Sequence, residues 1–228
     1  MKRILYHGSE RVIEKPVYGY GNKHNDYGYG FYCCSNSNAA KEWATRKSEN
    51  GFLNKYELRD DRLKLIDLTK GKFDDVLIWL TLLIKNRSTL QSLENSFPKE
   101  TEYLFKNYLI DITEYDVAIG YRADDAYFRF PEAFISGQIT LEGLKEIYLL
   151  GDIGKQYVLL SKKSFDLIKF IGFDEVGVEY YDAYYSRINR ANNRFKELLQ
   201  KEQYRKGTRL KDLIWFITTN LNIDVSIK

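Results

Sequence analysis

Proline is scarce in this chain, at 3 in 228 residues, and histidine and cysteine number only 2 each. Two histidines and one adjacent cysteine pair, Cys33-Cys34, leave too few ligands for a structural zinc site, and no metal is expected. Neighbouring residues point to opposite faces of a strand, so a bridge between the two cysteines is strained. Two reduced, partly buried thiols in a reducing compartment are expected instead. No apolar run follows Met1-Lys2-Arg3, so no secretory leader is expected. The most apolar run, residues 76–84, falls far short of the roughly 20 residues that a membrane span needs and reads as a buried helix. Internal repeats and low-complexity tracts are also missing. The expectation is a soluble, cytoplasmic protein.

What the chain does have is apolar and aromatic mass: 44% hydrophobic and 15% aromatic residues, with 19 tyrosines, enough for a real core. The stretch Asp26-Tyr-Gly-Tyr-Gly-Phe-Tyr32 concentrates tyrosine and glycine in a turn feeding a short strand, 31–35, and then an Asn/Ser-capped helix that starts near Ala39 and carries Trp43. Glycine lets a backbone approach a ligand closely, and an aromatic ring beside it offers a flat surface. Tyr27 and Tyr29 either line such a pocket or alternate outward.

Along the chain, residues 3–8 predict a first strand ending at a glycine, with Gly51 as the C-cap of the Trp43 helix. Strands are expected over 52–58 and 63–68, then a helical insertion over about 70–112 capped by Asp74 or Asp75, with Pro98 breaking its later helices. Strands return at 115–120, 155–161 and 169–173. Helix is expected from Phe134, broken at Gly137 and resumed from Thr140 to Leu150. Beyond Tyr180 the apolar residues Tyr184, Ile188, Ala191, Phe195 and Leu198 step by four and three, an amphipathic helix. Residues 187–211 hold nine basic side chains against Glu197 and Glu202, a net of +7, so the rest of the chain carries −4 of the total +3. This basic tail is a solvated helix face, a dock for an acidic partner, or a phosphate-contacting surface for nucleic acid.

Three segments in order, Tyr6-His7-Gly8, Gly28-Tyr-Gly-Phe-Tyr32 and Lys155-Gln156-Tyr157-Val158, resemble the three motifs of the ADP-ribosyltransferase superfamily. The resemblance is to the histidine–tyrosine–glutamate branch that includes diphtheria toxin and the poly(ADP-ribose) polymerases. It is nearest to a bacterial family associated with toxin–antitoxin operons, and spans roughly residues 3–175. It implies an α+β fold, a split pair of antiparallel sheets around an NAD cleft. The helical insertion and a C-terminal helical extension complete it, dividing the chain into 1–176 and 177–228.

The implied roles follow the motifs. His7 holds the adenosine ribose, the Gly8 backbone clamps the nicotinamide amide, Ser9 and Tyr29 join the NAD-binding set, and Tyr32 stacks on the nicotinamide ring. Trp43, eleven positions on, is the second stacking aromatic or a core residue beside Ala39, Ala40 and Ala44. Asp124 or Asp125 sits at the cleft rim near the acceptor, or is a turn cap.

Gln156 stands where the family has its catalytic glutamate. A carboxylate there hydrogen-bonds the ribose 2′-hydroxyl and stabilises the oxocarbenium-like charge that builds as the glycosidic bond breaks. Glutamine keeps the hydrogen bond and loses the charge, which costs on the order of 3 kcal/mol. The resemblance therefore implies mono-ADP-ribosyl transfer or slow NAD hydrolysis, by a toxin acting on a macromolecular target and held by an acidic antitoxin at the basic helix. Arginine is excluded as the acceptor, because Gly154-Lys155-Gln156 lacks a Glu-x-Glu pair. The alternatives are a weak or inactive NAD-binding module and a nucleic-acid-binding protein.

Overall fold

In the computed structural model, which describes residues 1–123, 129–149, 155–200 and 206–225, seven strands form one sheet. They are β1 (Lys2–Ser9), β2 (Phe31–Cys34), β3 (Gly51–Arg59), β4 (Leu65–Asp67), β5 (Val117–Gly120), β6 (Gln156–Leu159) and β7 (Ile168–Val176), in the spatial order β4-β5-β6-β2-β1-β3-β7. The helices are α1 (Ser37–Ala44), α2 (Phe73–Asn86), α3 (Ser92–Ser96), α4 (Pro98–Tyr108), α5 (Arg129–Ile135), α6 (Leu141–Leu149), α7 (Lys162–Asp166), α8 (Tyr180–Gln200) and α9 (Leu210–Val225). The fold is α+β, as expected.

The sheet departs from the expected pair of antiparallel sheets in two ways. It is continuous, and β4 runs parallel to β5. Parallel neighbours need a long crossover, and the helical insertion is that crossover. Asp75 accepts a hydrogen bond from the Lys72 backbone N–H at 3.3 Å at the start of α2, Pro98 opens α4, and α2 is buried along most of its length. The continuity is thin at one place. β1 pairs with β3 over eight positions but with β2 at a single one, Tyr6 opposite Cys34.

Paired residues share a face and successive ones alternate, which sorts the core into two layers. Leu5, Phe31, Cys33, Tyr56, Tyr157 and Leu159 fill the smaller layer. Cys34, Leu53, Ala118 and Val158 face the larger one, with α1, α2 and the later helices. The two free cysteines thus lie on opposite faces, both buried.

Two local expectations shift. Gly51 opens β3 rather than capping α1, which ends at Ala44 with Thr45 as its cap. A Cβ at Gly51 would lie 2.4 Å from the Ala44 carbonyl oxygen, so glycine there permits β3 to pass the helix end. The helix expected from Phe134 lies earlier, with Phe134 near its end, while Gly137 (φ +76°) separates α5 from α6 as expected. The C-terminal extension also joins the larger core: Ala191, Phe195 and Leu210 belong to it, and the Phe195 ring sits 4.4 Å from that of Phe130.

Candidate functional site

The Asp26–Tyr32 turn is closed by its last residue. The Tyr32 hydroxyl accepts from the Tyr27 backbone N–H at 3.1 Å and donates to the Gly28 carbonyl at 2.7 Å. Gly28 sits at φ +76°, a conformation glycine adopts without steric cost. Burial, and then the charge of Asp26, push the Tyr32 phenol well above its ordinary range, so it stays protonated and the clasp holds. Tyr27 is buried and points inward, its hydroxyl donating to the Tyr121 carbonyl at 3.0 Å. Tyr29 is 57% exposed. The two tyrosines are therefore separated: Tyr27 is core and Tyr29 is surface.

Beyond Tyr6–Cys34 the ladder between β1 and β2 stops, and the His7 imidazole takes its place. Its Nδ1 lies 2.6 Å from the Tyr32 carbonyl oxygen. A carbonyl only accepts, so Nδ1 carries the proton and the neutral ring leaves Nε2 as an acceptor. The ring also lies 4.5 Å from Phe31. Burial, then the charge of Arg122, lower the His7 pKa, against the opposing pull of the Tyr32 carbonyl.

At this break lies a cleft of about 1130 Å³, lined by His7, Gly8, Tyr32, Trp43 and Gln156 together with residues of the 10–30 loop. Residues of both sheet faces reach it, Phe31 and Cys33 from one and Tyr32 and Cys34 from the other. Ser9 and Tyr29 are not among the lining residues. The Ser9 hydroxyl instead donates to the Arg11 carbonyl at 2.6 Å and accepts from Asn54 Nδ2 at 2.9 Å. Buried Asn54 also accepts from the Ile13 N–H at 2.7 Å, and the Tyr56 hydroxyl donates to the Ile13 carbonyl at 2.5 Å. These contacts anchor the start of the loop over the cleft. Gly8 serves packing as well: a Cβ there would fall 1.9 Å from the Ala40 carbonyl oxygen. That absence lets α1, with Trp43 on it, lie against β1.

Gln156 begins β6 between Cys34 and Gly120. It is 9% exposed, and among the described residues its Oε1 has no hydrogen-bond partner. A buried amide oxygen in that state costs on the order of 1–3 kcal/mol, which a donor at the cleft wall would relieve.

The cleft is electropositive. Arg11, Lys15, Arg46, Arg87 and Arg122 line it against Glu14 and Asp26. Asp26 is buried and committed elsewhere. Its Oδ1 accepts from Arg87 Nε at 2.6 Å, and its Oδ2 from the Ala123 N–H at 3.0 Å. Trp43 is flanked by cations, the Arg46 and Arg122 guanidinium carbons lying 4.0 and 4.1 Å from its ring centroid. Asp124 and Asp125 lie outside the described residues.

Arg87, Arg46, Arg122 and Asn54 stand outside the sequence motifs, and Asp26 enters them as the start of the turn without its ion-pair role. Only Arg46, three positions after Trp43 at a helix end, left a local signal; the others act through partners distant in the chain.

The tail is partly spent on the fold. Arg187 Nε donates to Glu42 on α1 at 2.7 Å, and Lys41 Nζ to the Tyr180 hydroxyl at 3.2 Å. Arg190, Arg194 and Lys196 remain exposed. Among the described residues, no helix is long and apolar enough to cross a membrane.

No curated protein and no solved structure matches the chain. The family described as "Protein of unknown function (DUF3990)" matches residues 3–170. That match takes in the strands up to the start of β7, the turn and every cleft residue named above, well over half of the chain, and the protein belongs to this family.

Proposed function

We propose that this protein binds NAD at the break between β1 and β2 and transfers its ADP-ribose to a macromolecular acceptor. One observation carries the proposal: His7, Tyr32 and Gln156, 149 positions apart from first to last in the sequence, line a single cleft, and the buried Oε1 of Gln156 has no partner among the described residues. The lining fits a dinucleotide. His7 Nε2 accepts from a ribose hydroxyl, Tyr32 offers a ring whose hydroxyl is already satisfied, and the cationic wall suits phosphate.

In the proposed reaction the bond between nicotinamide nitrogen and ribose C1′ breaks, and nicotinamide leaves with the electron pair. The acceptor's nucleophile then bonds to C1′ and gives up its proton to solvent or to a base of its own. Gln156 Oε1 accepts from the 2′-hydroxyl and orients the ribose. It supplies no charge, so turnover is slow unless the acceptor contributes one. A second reading, NAD binding without turnover, is favoured by that neutrality and by the engagement of Asp26 with Arg87 and Ala123.

The proposal extends to a toxin of a toxin–antitoxin pair, with Arg190, Arg194 and Lys196 of α8 as the contact for an acidic partner. Nucleic acid on the same face requires an affinity that falls steeply with salt.

Nicotinamide release, with and without host macromolecules, tests the transfer. Mass spectrometry of those macromolecules identifies the acceptor. Turnover is expected to vanish in Gln156→Ala, while His7→Ala and Tyr32→Ala mainly weaken NAD binding. NAD binding with no release under any condition would establish the second reading, and no binding at millimolar NAD would sink both.

A further inference from the structure

Val17, Tyr18 and Tyr20, in the loop between β1 and β2, are 63%, 56% and 75% exposed. Large apolar side chains clustered on a surface mark a place of contact. The tip that carries them has a defined shape. The Tyr20 N–H donates to the Val17 carbonyl at 3.2 Å, and Gly19 sits between the tyrosines at φ +78°, as the third residue of a type II turn requires. The rising limb is fixed at Ile13 by Asn54 and Tyr56. On the falling limb the His24 Nδ1 lies 3.2 Å from the Asn86 carbonyl at the end of α2. Both rings are therefore displayed from an anchored frame.

The tip stands at the cleft, where Val17 and Tyr20 are among the lining residues. The Tyr18 ring meets Phe165 edge-on at 5.5 Å, Phe165 lies 6.2 Å from Phe31, and Phe31 lies 4.5 Å from His7. Three ring contacts thus link the tip to the motif histidine. Its charge has one sign. Between Glu14 and Asp26 the chain has no carboxylate, and Lys15 and Lys23 flank the tip. Both lysines are exposed and, among the described residues, neither has an acidic partner. Exposed rings between cations are the means by which proteins hold unpaired nucleobases: the rings stack on bases while the cations meet phosphates. An acidic protein segment would engage the lysines and leave the rings unused, and a duplex keeps its bases stacked on one another.

We infer that residues 15–23 dock a single-stranded nucleic acid at the mouth of the cleft, and that such a strand is the macromolecular acceptor. Tyr18 and Tyr20 stack on its bases, and Lys15 and Lys23 contact its phosphates. In the transfer, a nucleophile of the strand bonds to ribose C1′ as nicotinamide leaves with the electron pair, and its proton passes to solvent. The docking stands on the loop itself, whereas the transfer rests on the NAD reading above.

Fluorescence anisotropy of the full chain, without NAD, tests the docking. The probes are labelled single-stranded DNA and RNA of about 12 nucleotides, a duplex of the same sequence, and polyglutamate. A single strand is expected to bind more tightly than the duplex, with an affinity that falls steeply with salt. The tighter of the DNA and RNA strands identifies its source. Tyr18→Ala and Tyr20→Ala are each expected to weaken the single strand by about tenfold, the loss of one stacked base. Tyr18→Phe and Tyr20→Phe keep a ring and are expected to bind as wild type does. Lys15→Gln and Lys23→Gln are expected to weaken binding and to flatten its salt dependence. Polyglutamate bound as tightly as the oligonucleotides, or single-strand binding unmoved by both alanine variants, would overturn the docking. Nicotinamide release from NAD with no oligonucleotide binding would also overturn it and leave the NAD reading standing. Oligonucleotide binding that depends on both rings, with no binding of NAD at millimolar concentration, would uphold the docking and overturn the NAD reading.

Discussion

Asp26, which is buried, and Arg87, which is half-buried, lie 61 positions apart and form an ion pair in which Oδ1 lies 2.6 Å from Nε and 2.5 Å from Nη2. The pair fastens the tyrosine–glycine turn to the end of α2. The Arg87 Nη2 donates onward to the Ala123 carbonyl at 3.1 Å, and Asn86 Nδ2 to the Asp26 carbonyl at 3.2 Å. Removing the Asp26 carboxylate leaves the half-buried Arg87 guanidinium without it. Asp26→Asn is expected to destabilise the fold by about 1–3 kcal/mol, measured by denaturant unfolding. Arg87→Met added to it is expected to cost less than the sum of the two single changes.

Gln156→Glu restores the carboxylate that the reaction lacks. Nicotinamide release is expected to rise by roughly 10²-fold, the effect of one preorganised electrostatic group at a developing charge. A rate equal to that of wild type would show that position 156 does not face the ribose.

Acid is expected to weaken NAD binding through His7. Its folded-state pKa lies below the ordinary value of 6.5 because of burial and then the charge of Arg122. A depressed pKa means that the unfolded chain binds the proton more readily. The neutral ring's contribution to stability is therefore present above the ordinary value and lost as pH falls through the lowered one. Protonation also removes Nε2 as an acceptor. Titration of NAD across pH is expected to give constant affinity near neutrality and a fall below the ordinary imidazole range, absent in His7→Ala.

Gly120→Ala is expected to destabilise by about 1–3 kcal/mol, the usual effect of overpacking a core. The new Cβ would sit 1.8 Å from the Tyr27 hydroxyl oxygen and 2.7 Å from the ring carbon bearing it. Tyr27→Phe removes the nearer of the two atoms, so the double variant is expected to melt above Gly120→Ala alone.

Elements carried by local pattern were legible in the sequence. The Asn36 cap of α1 holds the Asn38 and Ala39 N–H groups at 2.9 and 3.4 Å, the apolar run became the buried α2, and the stepping from Tyr184 to Phe195 became α8. Position in the motifs placed His7, Gly8, Tyr32, Trp43 and Gln156 around one cleft. Elements that depend on distant partners were not legible. The parallel β4–β5 pairing is a property of the crossover, and Gly51 read as a helix cap because the close passage of β3 beside Ala44 leaves no trace in neighbouring residues. Tyr27 and Tyr29 look alike in sequence, and Gly120, 93 positions on, makes room for the first of them. The Asp26 clasp and the second arginine at Trp43 also arise from residues far along the chain.

The seam between β1 and β2 consists of one residue pair, with an imidazole standing in for the next. A molecule that reached across it, holding His7 on one bank and Gln156 on the other, would act as a rivet between the two halves of the sheet. Resistance to heat should then report occupancy directly, so a thermal-shift screen of nucleotides could reveal what the cleft accepts before any reaction is known.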